Sequence, residues 1–98
     1  MYVSVRRYNI TDTESVEEIS RRVKEGAVPL ISQTPGFIAY YLADGGERVV
    51  VSISLFDDQA GAEASNRIAA DWVKENLAPV VVGPPQVTAG QVTVHKTK

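Results

Sequence analysis

The pattern of apolar positions predicts a β-hairpin in the middle of the chain. In the segment Val49–Leu55 every second residue is aliphatic, which is the period of a strand with one buried face. The preceding segment Phe37–Ala43 is rich in aromatic and aliphatic residues and also favours a strand. Between them, Gly45 and Gly46 can adopt the positive φ that tight hairpin turns require. Because two strands alone are not stable in water, other elements must cover the aliphatic face of this hairpin.

A helix is predicted ahead of this hairpin. Thr11 and Glu14 have the spacing of a capping box, with Thr11 as the N-cap and Glu14 reaching back to it. Apolar residues then recur at helical spacing as far as Ile31, and charged residues occupy the other side. Pro29 lies inside this pattern and lacks a backbone N–H, so we expect a kink or a break near residues 26–28.

A second helix is predicted after the hairpin. Asp57 and Asp58 supply an N-cap and negative charge at its start, and the helical spacing continues to about Leu77. We expect this helix to lie close to a sheet, because small residues flank its apolar stripe. The centre of that stripe is formed by Ile68, Ala69, Trp72 and Val73.

Two further strands complete the predicted sheet. Tyr2–Asn9 is the first, and Val87–His95 is the last, with Gly90 as a bulge or bend. The order βαββαβ is the ferredoxin-like plan, an α+β fold in which both helices cover one face of a four-stranded sheet. The 98 residues fit a single domain over residues 1–98. Because the strands carry apolar residues on both faces, we expect the uncovered face to join a second copy in a homodimer.

Composition and charge exclude several classes of protein. The formal net charge is -2 with both signs interspersed, unlike the basic surface of a nucleic-acid-binding protein. The absence of cysteine removes disulfides, thiolate metal sites and cysteine nucleophiles. No apolar run has membrane-spanning length, and the N-terminal residues enter a strand at once rather than a signal peptide. We therefore expect a cytoplasmic protein whose partners include neither nucleic acid nor a membrane.

The segments PGFIAYYL and VSISLFDD, in their places in the βαββαβ order, resemble the antibiotic-biosynthesis-monooxygenase family of dimeric α+β barrels. A capped helix before them and an alanine-rich helix with a tryptophan after them extend the resemblance over nearly the whole chain. It implies a dimer in which two sheets face each other and each ligand pocket lies between one sheet and its own helices. The family includes cofactor-free oxygenases of polycyclic aromatic substrates and haem-degrading enzymes.

The chain does not match the functional residues of the haem-degrading branch. That branch is similar in fold but has an Asn late in the first strand, a Trp after the third strand and a His in the second helix. Here the corresponding positions offer Arg7 or Asn9 and then Phe56, and the only histidine, His95, lies in the last predicted strand. No metal-ligand spacing or phosphate-binding loop is present. The resemblance therefore implies no haem, and the expected cofactor is none.

Four residues form the candidate substrate pocket, namely Arg7, Tyr41, Asn66 and Trp72. The oxygenase branch is similar in placing Asn and Trp on the second-helix side of the pocket, with Tyr and Arg elsewhere in it. We expect the aliphatic residues of the hairpin and the stripe of the second helix to form the walls. Tyr40 and Tyr41 point to opposite faces of their strand, and the sequence leaves open which of them lines the pocket. The alternative for each candidate is structural, with Trp72 above all as a core residue.

Two functional hypotheses follow. In the first, the protein is a cofactor-independent monooxygenase for a small aromatic or polyketide-like molecule, because an electron-rich phenol can itself reduce oxygen. In the second, the protein is a non-catalytic small-molecule-binding or structural homodimer whose core side chains fill the pocket. A cavity with convergent polar groups between sheet and helices would favour the first.

Overall fold

In a computed structural model that describes residues 1–98, four strands form one antiparallel sheet with all helices on one face. The strand order is β2-β3-β1-β4, so the hairpin strand β2 and the last strand β4 are the edges. This arrangement confirms the ferredoxin-like α+β fold. The elements are β1 Tyr2–Ile10, α1 Val16–Arg22, a π-helical turn Val23–Ala27, α2 Val28–Ser32, β2 Phe37–Gly46, β3 Val49–Phe56, α3 Gln59–Asn76 and β4 Val81–Gln91.

The sheet places its polar face against the helices. We call this the inner face, and its buried positions alternate along β1 and β3. The expectation that the alternating aliphatic residues of the hairpin face the helices is wrong, because Val51, Ile53 and Leu55 lie on the opposite, outer face. Small side chains let α3 approach the inner face closely. Ser4 and Ser54 of the sheet and Ser65 of α3 are all fully buried. The buried residues of β1 and β3 are Ser4, Arg6, Tyr8, Ile10, Val50, Ser52, Ser54 and Phe56.

The first helix begins later than its sequence pattern predicts. Its N-cap is Ser15, whose hydroxyl accepts the Glu18 N–H at 3.0 Å, so the capping box at Thr11 and Glu14 is wrong. Ser15 and Glu18 have the same spacing as that pair and supply the real cap. The Arg48 guanidinium donates to the carbonyls of Thr11 and Glu14, which holds the connecting loop in a non-helical conformation.

A π-helical turn occupies Val23–Ala27, ahead of Pro29, and confirms the expected irregularity. The Val28 N–H donates to the Val23 carbonyl, five residues back, which is the hydrogen bond of a π-helix. Proline clashes with the carbonyl four residues before it in an α-helix, and the wider turn relieves this crowding. Within the turn, Gly26 faces the Trp72 indole closely enough that a Cβ atom would lie 2.6 Å from Nε1.

The hairpin turn lies directly after the two glycines at which the sequence predicts it. Gly45 and Gly46 belong to β2, whereas Glu47 and Arg48 form the turn with φ of 52° and 62°. Positive φ at both central residues is the geometry that suits the twist of a two-residue hairpin. Gly46, at φ 75°, accommodates the irregular pairing next to this turn.

The last strand is displaced from its prediction, because it covers Val81–Gln91 rather than Val87–His95. Its irregularity is at residues 83–85, where the pairing with β1 shifts, and not at Gly90, which pairs regularly with Val3. Pro84 and Pro85 are tolerated there because an edge strand needs hydrogen bonds on one side only. No helix in the structure is long and apolar enough to cross a membrane.

Candidate functional site

A small cavity lies between the inner face of the sheet and the helices. The cavity has a volume of about 40 Å³, which is room for about three waters. Most of its wall is apolar, and the residues include Ile19, Ile31, Val50, Ala69, Trp72 and Leu77. Such a space between sheet and helices suits a ring more than a charged group, except where polar side chains converge.

Three residues with polar groups contribute to the lining of this cavity. Tyr8, Tyr40 and Ser52 line it from three different strands. Tyr8 is buried and Tyr40 is half-buried, both on the inner face. Tyr8 pairs with Val50 of β3, and Tyr40 pairs with Ser54 of the same strand. We call these three residues the polar end of the cavity.

Arg6 lies behind the polar end with its side chain buried. Only 2% of the residue is exposed, and every hydrogen bond it makes is to a neutral oxygen. Its guanidinium donates to Ser52 Oγ at 2.9 Å, Ser54 Oγ at 2.7 Å, Asn66 Oδ1 at 2.7 Å and Ser65 Oγ at 3.5 Å. Asn66 is held in turn by the Ser4 hydroxyl, which donates to the same Oδ1 at 2.5 Å. The guanidinium is therefore fixed by β3 and α3 together.

The two phenols at the polar end are held in their neutral form. Burial raises the pKa of Tyr8 above its ordinary value of 10.0, and the positive charge of Arg6 offsets this only in part. Burial raises the pKa of Tyr40 in the same way, again against the opposing charge of Arg6. At neutral pH both hydroxyls keep their protons, so both can donate a hydrogen bond to an oxygen atom in the cavity.

An open groove adjoins the cavity at the edge of the sheet. It has a volume of about 510 Å³ and runs between the first helical segments and the edge strand β2. Val23, Tyr40 and Leu42 line both the groove and the cavity. These three side chains therefore form the wall between the cavity and the groove.

The structure brings two of the four predicted pocket residues to this region. Trp72 is 9% exposed and lines the cavity, and Asn66 anchors Arg6 beside it. Arg7 and Tyr41 do not line the cavity: Arg7 donates to Gln86 Oε1 at 3.5 Å on the outer face, and Tyr41 is 60% exposed and lines the groove. Tyr40 is the tyrosine that lines the cavity, which answers the question that the sequence left open.

Two residues of the polar end and the arginine behind it were missing from the sequence prediction. Arg6, Tyr8 and Ser52 were passed over because valines, rather than polar residues, were expected to face the helices. A signal was available in the strand alternation, since Ser4, Arg6 and Tyr8 occupy every second position of β1. Only the burial of alternate residues along β1 and β3 shows which set is inside.

The fold and the site together define a small α+β protein with an apolar cavity that ends in hydrogen-bond donors. The sequence model of the family described as "Antibiotic biosynthesis monooxygenase" matches residues 1–69, and the chain belongs to this family. No curated protein matches the sequence.

Solved structures of other proteins share this fold. A protein of unknown function from Nitrosomonas europaea, NE2512, superposes with a TM-score of 0.77 at 21% identity, covering 99% of this chain and 93% of that one. The monooxygenase ActVA-Orf6 of Streptomyces coelicolor, in complex with nanaomycin D, gives 0.77 at 14% identity over 99% and 91%. A MhuD variant with two manganese protoporphyrin IX molecules per active site gives 0.74 at 17% identity over 100% of both chains. The similarity to these structures is one of fold.

Proposed function

We propose that this protein is a cofactor-independent monooxygenase acting on a small aromatic or polyketide-like molecule. The observation that carries the proposal is an apolar cavity whose polar end is built from neutral phenols with a buried guanidinium behind them. Membership of the antibiotic biosynthesis monooxygenase family supports the reaction class. The similarity of fold to a monooxygenase crystallised with nanaomycin D supports a ring-shaped ligand.

The chemistry needs an ionised substrate and a dry site. An enolate or phenolate in the cavity is electron-rich enough to reduce oxygen itself. In that reaction a substrate carbon loses two C–H bonds and gains one C=O bond, while the second oxygen atom of O₂ leaves as water. Tyr8 and Tyr40 would donate hydrogen bonds to the substrate oxygen, and the apolar wall would exclude water from the reacting carbon.

Substrate entry requires the wall between cavity and groove to move. The enclosed space of about 40 Å³ is smaller than the ~150 Å³ of an engineered protein cavity that holds benzene. The adjoining groove supplies the missing volume once Val23, Tyr40 or Leu42 changes its rotamer. We propose that the ring lies across this wall, with its oxygen at the polar end.

Oxygen consumption with a dihydroxyanthrone, in buffer containing a metal chelator and no added flavin or haem, tests this proposal. We expect protein-dependent uptake of one O₂ for each ketone formed. Tyr40→Phe should lower the rate by about tenfold or more, since it removes one donor to the developing oxyanion. Tyr2→Phe is the matched control, because the same hydroxyl is removed from a tyrosine that lines neither the cavity nor the groove, and its rate should not change.

Two results would contradict the oxygenase proposal. One is that wild-type protein consumes no oxygen with any hydroxylated ring compound, and the other is that the Tyr40 and Tyr2 variants behave alike. The small size of the enclosed cavity favours a second candidate function, a small-molecule-binding protein without catalysis. Quenching of Trp72 fluorescence by the anthrone without oxygen uptake would identify that function.

We also propose that two copies associate through the outer face of the sheet. Val5, Ile53 and Tyr41 are direct neighbours on three adjacent strands and form a row across the centre of this face. Arg7 is the charged residue that β1 contributes to the face. A face so poor in charge matches a second copy of itself, and a domain of this size gains stability from the added burial. We expect a dimer at micromolar concentration by sedimentation, rather than a 10.6 kDa monomer.

A charge at the centre of this face should dissociate the dimer. We expect Ile53→Asp to raise the dissociation constant at least about tenfold, because the carboxylate would be buried without a partner. Ala70→Asp, on an exposed position of α3, adds the same charge away from the sheet and should leave the dimer intact. A monomeric wild type, or equal effects of the two variants, would exclude this interface.

A further inference from the structure

The groove at the β2 edge of the sheet is larger than a single ring needs. Its volume is about 510 Å³, whereas a protein cavity of ~150 Å³ holds benzene. A ring that lies across the wall of Val23, Tyr40 and Leu42 therefore occupies only part of the groove. The groove has room for a second part of the ligand, which would extend from the ring toward solvent.

The two sides of the groove differ in chemical character. On the strand side, Phe37 and Tyr41 of β2 contribute aromatic rings. On the helical side, the polar groups are the hydroxyls of Ser20 and Ser32 and the ammonium of Lys24. Lys24 is the only charged residue among the ten residues that line the groove. The part of the ligand that fits here is consequently apolar along one side and negatively charged at the position of this ammonium.

The charge of Lys24 is not neutralised within the chain. All four ion pairs of the structure involve Arg21 or Arg22, and none involves Lys24. No residue three or four positions away along the helix, where a partner would lie, is an acid. Lys24 is exposed, so its ammonium is accessible from the groove.

We propose that the substrate carries a carboxylate on a short arm, and that Lys24 pairs with this carboxylate in the groove. The inference rests on the proposed function in taking the cavity and the groove together as the ligand site. Lys24 directly follows Val23 of the wall in the chain, so the charge lies close to the point where the ring crosses. Lys24 is then a specificity-determining residue, because an acid binds more tightly than a neutral molecule of the same shape.

The probes for this test are 2-naphthylacetate and its neutral amide, 2-naphthylacetamide, which share the ring and the short arm. Isothermal titration calorimetry at neutral pH measures the affinity of each. At an ionic strength of about 0.01 M we expect the acetate to bind about three- to fivefold more tightly than the amide, the strength of an exposed ion pair. At about 1 M the preference should disappear, because salt screens an exposed pair and leaves apolar contacts in place.

Lys24→Gln and Lys74→Gln form a matched pair of variants. Both lysines are exposed, but Lys74 lies on α3 and lines a different groove at the β4 edge, which shares no residue with the first. Lys24→Gln should remove the preference for the acetate and leave the affinity for the amide unchanged. Lys74→Gln should change neither affinity. Lys24→Arg keeps the charge and should keep the preference.

Four outcomes would overturn the inference: equal affinity of the wild type for both probes, a preference that survives Lys24→Gln, an equal loss in the Lys74→Gln variant, or failure of both probes to bind. The proposed oxygenase function is judged separately, by oxygen uptake with the anthrone, which has no carboxylate. A preference that depends on Lys24 without oxygen uptake would support the carboxylate site and remove the oxygenase. Oxygen uptake with no preference between the probes would retain the oxygenase and remove the carboxylate site.

Discussion

Replacing Trp72 by alanine is expected to lower the free energy of unfolding by about 3–5 kcal/mol, the range for truncating a buried aromatic residue. The indole is 9% exposed and packs among the core residues between α3 and the first helical segments. Removing it leaves a void beside Gly26. Glycine has no side chain that could move into this void. The cavity already present on its other side would enlarge as well.

Urea unfolding followed by far-ultraviolet circular dichroism measures this loss, because the variant has no tryptophan fluorescence to follow. Trp72→Phe is the control, since it keeps an aromatic ring in the same place and should lose clearly less stability than the alanine variant. An alanine variant that unfolds at the wild-type urea concentration would mean that the indole is not part of the core. Protein concentration must be equal in all samples, because any self-association makes the apparent stability depend on concentration.

The sequence predicted the type and order of the principal elements because both helices and all four strands carry clear periodicity. The end of α3 near Leu77 and the Asp58 N-cap were also predictable, since Asp58 accepts the Gly61 N–H at 3.0 Å in the expected way. The start of the first helix was not predictable, because the sequence holds two cap patterns of equal spacing. The choice between them depends on Arg48, which comes from a distant part of the chain.

The inner and outer faces of the sheet could not be assigned from the strand alternation alone. A rule that buries valine and isoleucine selects Val5 and Ile53 as the helix-facing residues. In the structure these two residues pair on the outer face, and Arg6 pairs with Ser52 inside. The rule fails because apolar residues of this sheet also occupy the face that the helices do not cover. The same inversion explains why Arg7 and Tyr41 were expected in the pocket, where Arg6 and Tyr40 are found.

The placement of the polar residues on the inner face also explains why polar groups lie beside the cavity. If the aliphatic residues of β3 faced the helices, the space beneath α3 would be wholly apolar. With the serines inside, the sheet offers neutral oxygens that can hold the Arg6 guanidinium in a fixed position. A sheet with one aliphatic face and one face that carries the polar side chains follows from the alternation along β1 and β3.

Gly26→Ala is expected to destabilise the protein by about 2 kcal/mol, even though alanine is the better helix former. A Cβ atom at this position would lie 2.6 to 2.8 Å from three atoms of the Trp72 indole, so the buried ring or the helical turn must shift to make room. The sequence suggests only that Gly26 loosens the helix ahead of Pro29, in which case alanine would stabilise it. Gly90→Ala is the matched control, because no atom lies within 4 Å of the added methyl group, and stability should hardly change.

A double-mutant cycle identifies the indole as the cause of that destabilisation. In protein that already carries Trp72→Ala, the added methyl group of Gly26→Ala enters empty space and should no longer cost stability. We expect a coupling free energy of about 2 kcal/mol between the two positions, from urea unfolding of the wild type, both single variants and the double variant. Additive effects would show that the glycine is required by the backbone of the π-helical turn. Coupling of the expected size would show that the turn is shaped by Trp72, the residue that also forms the cavity wall.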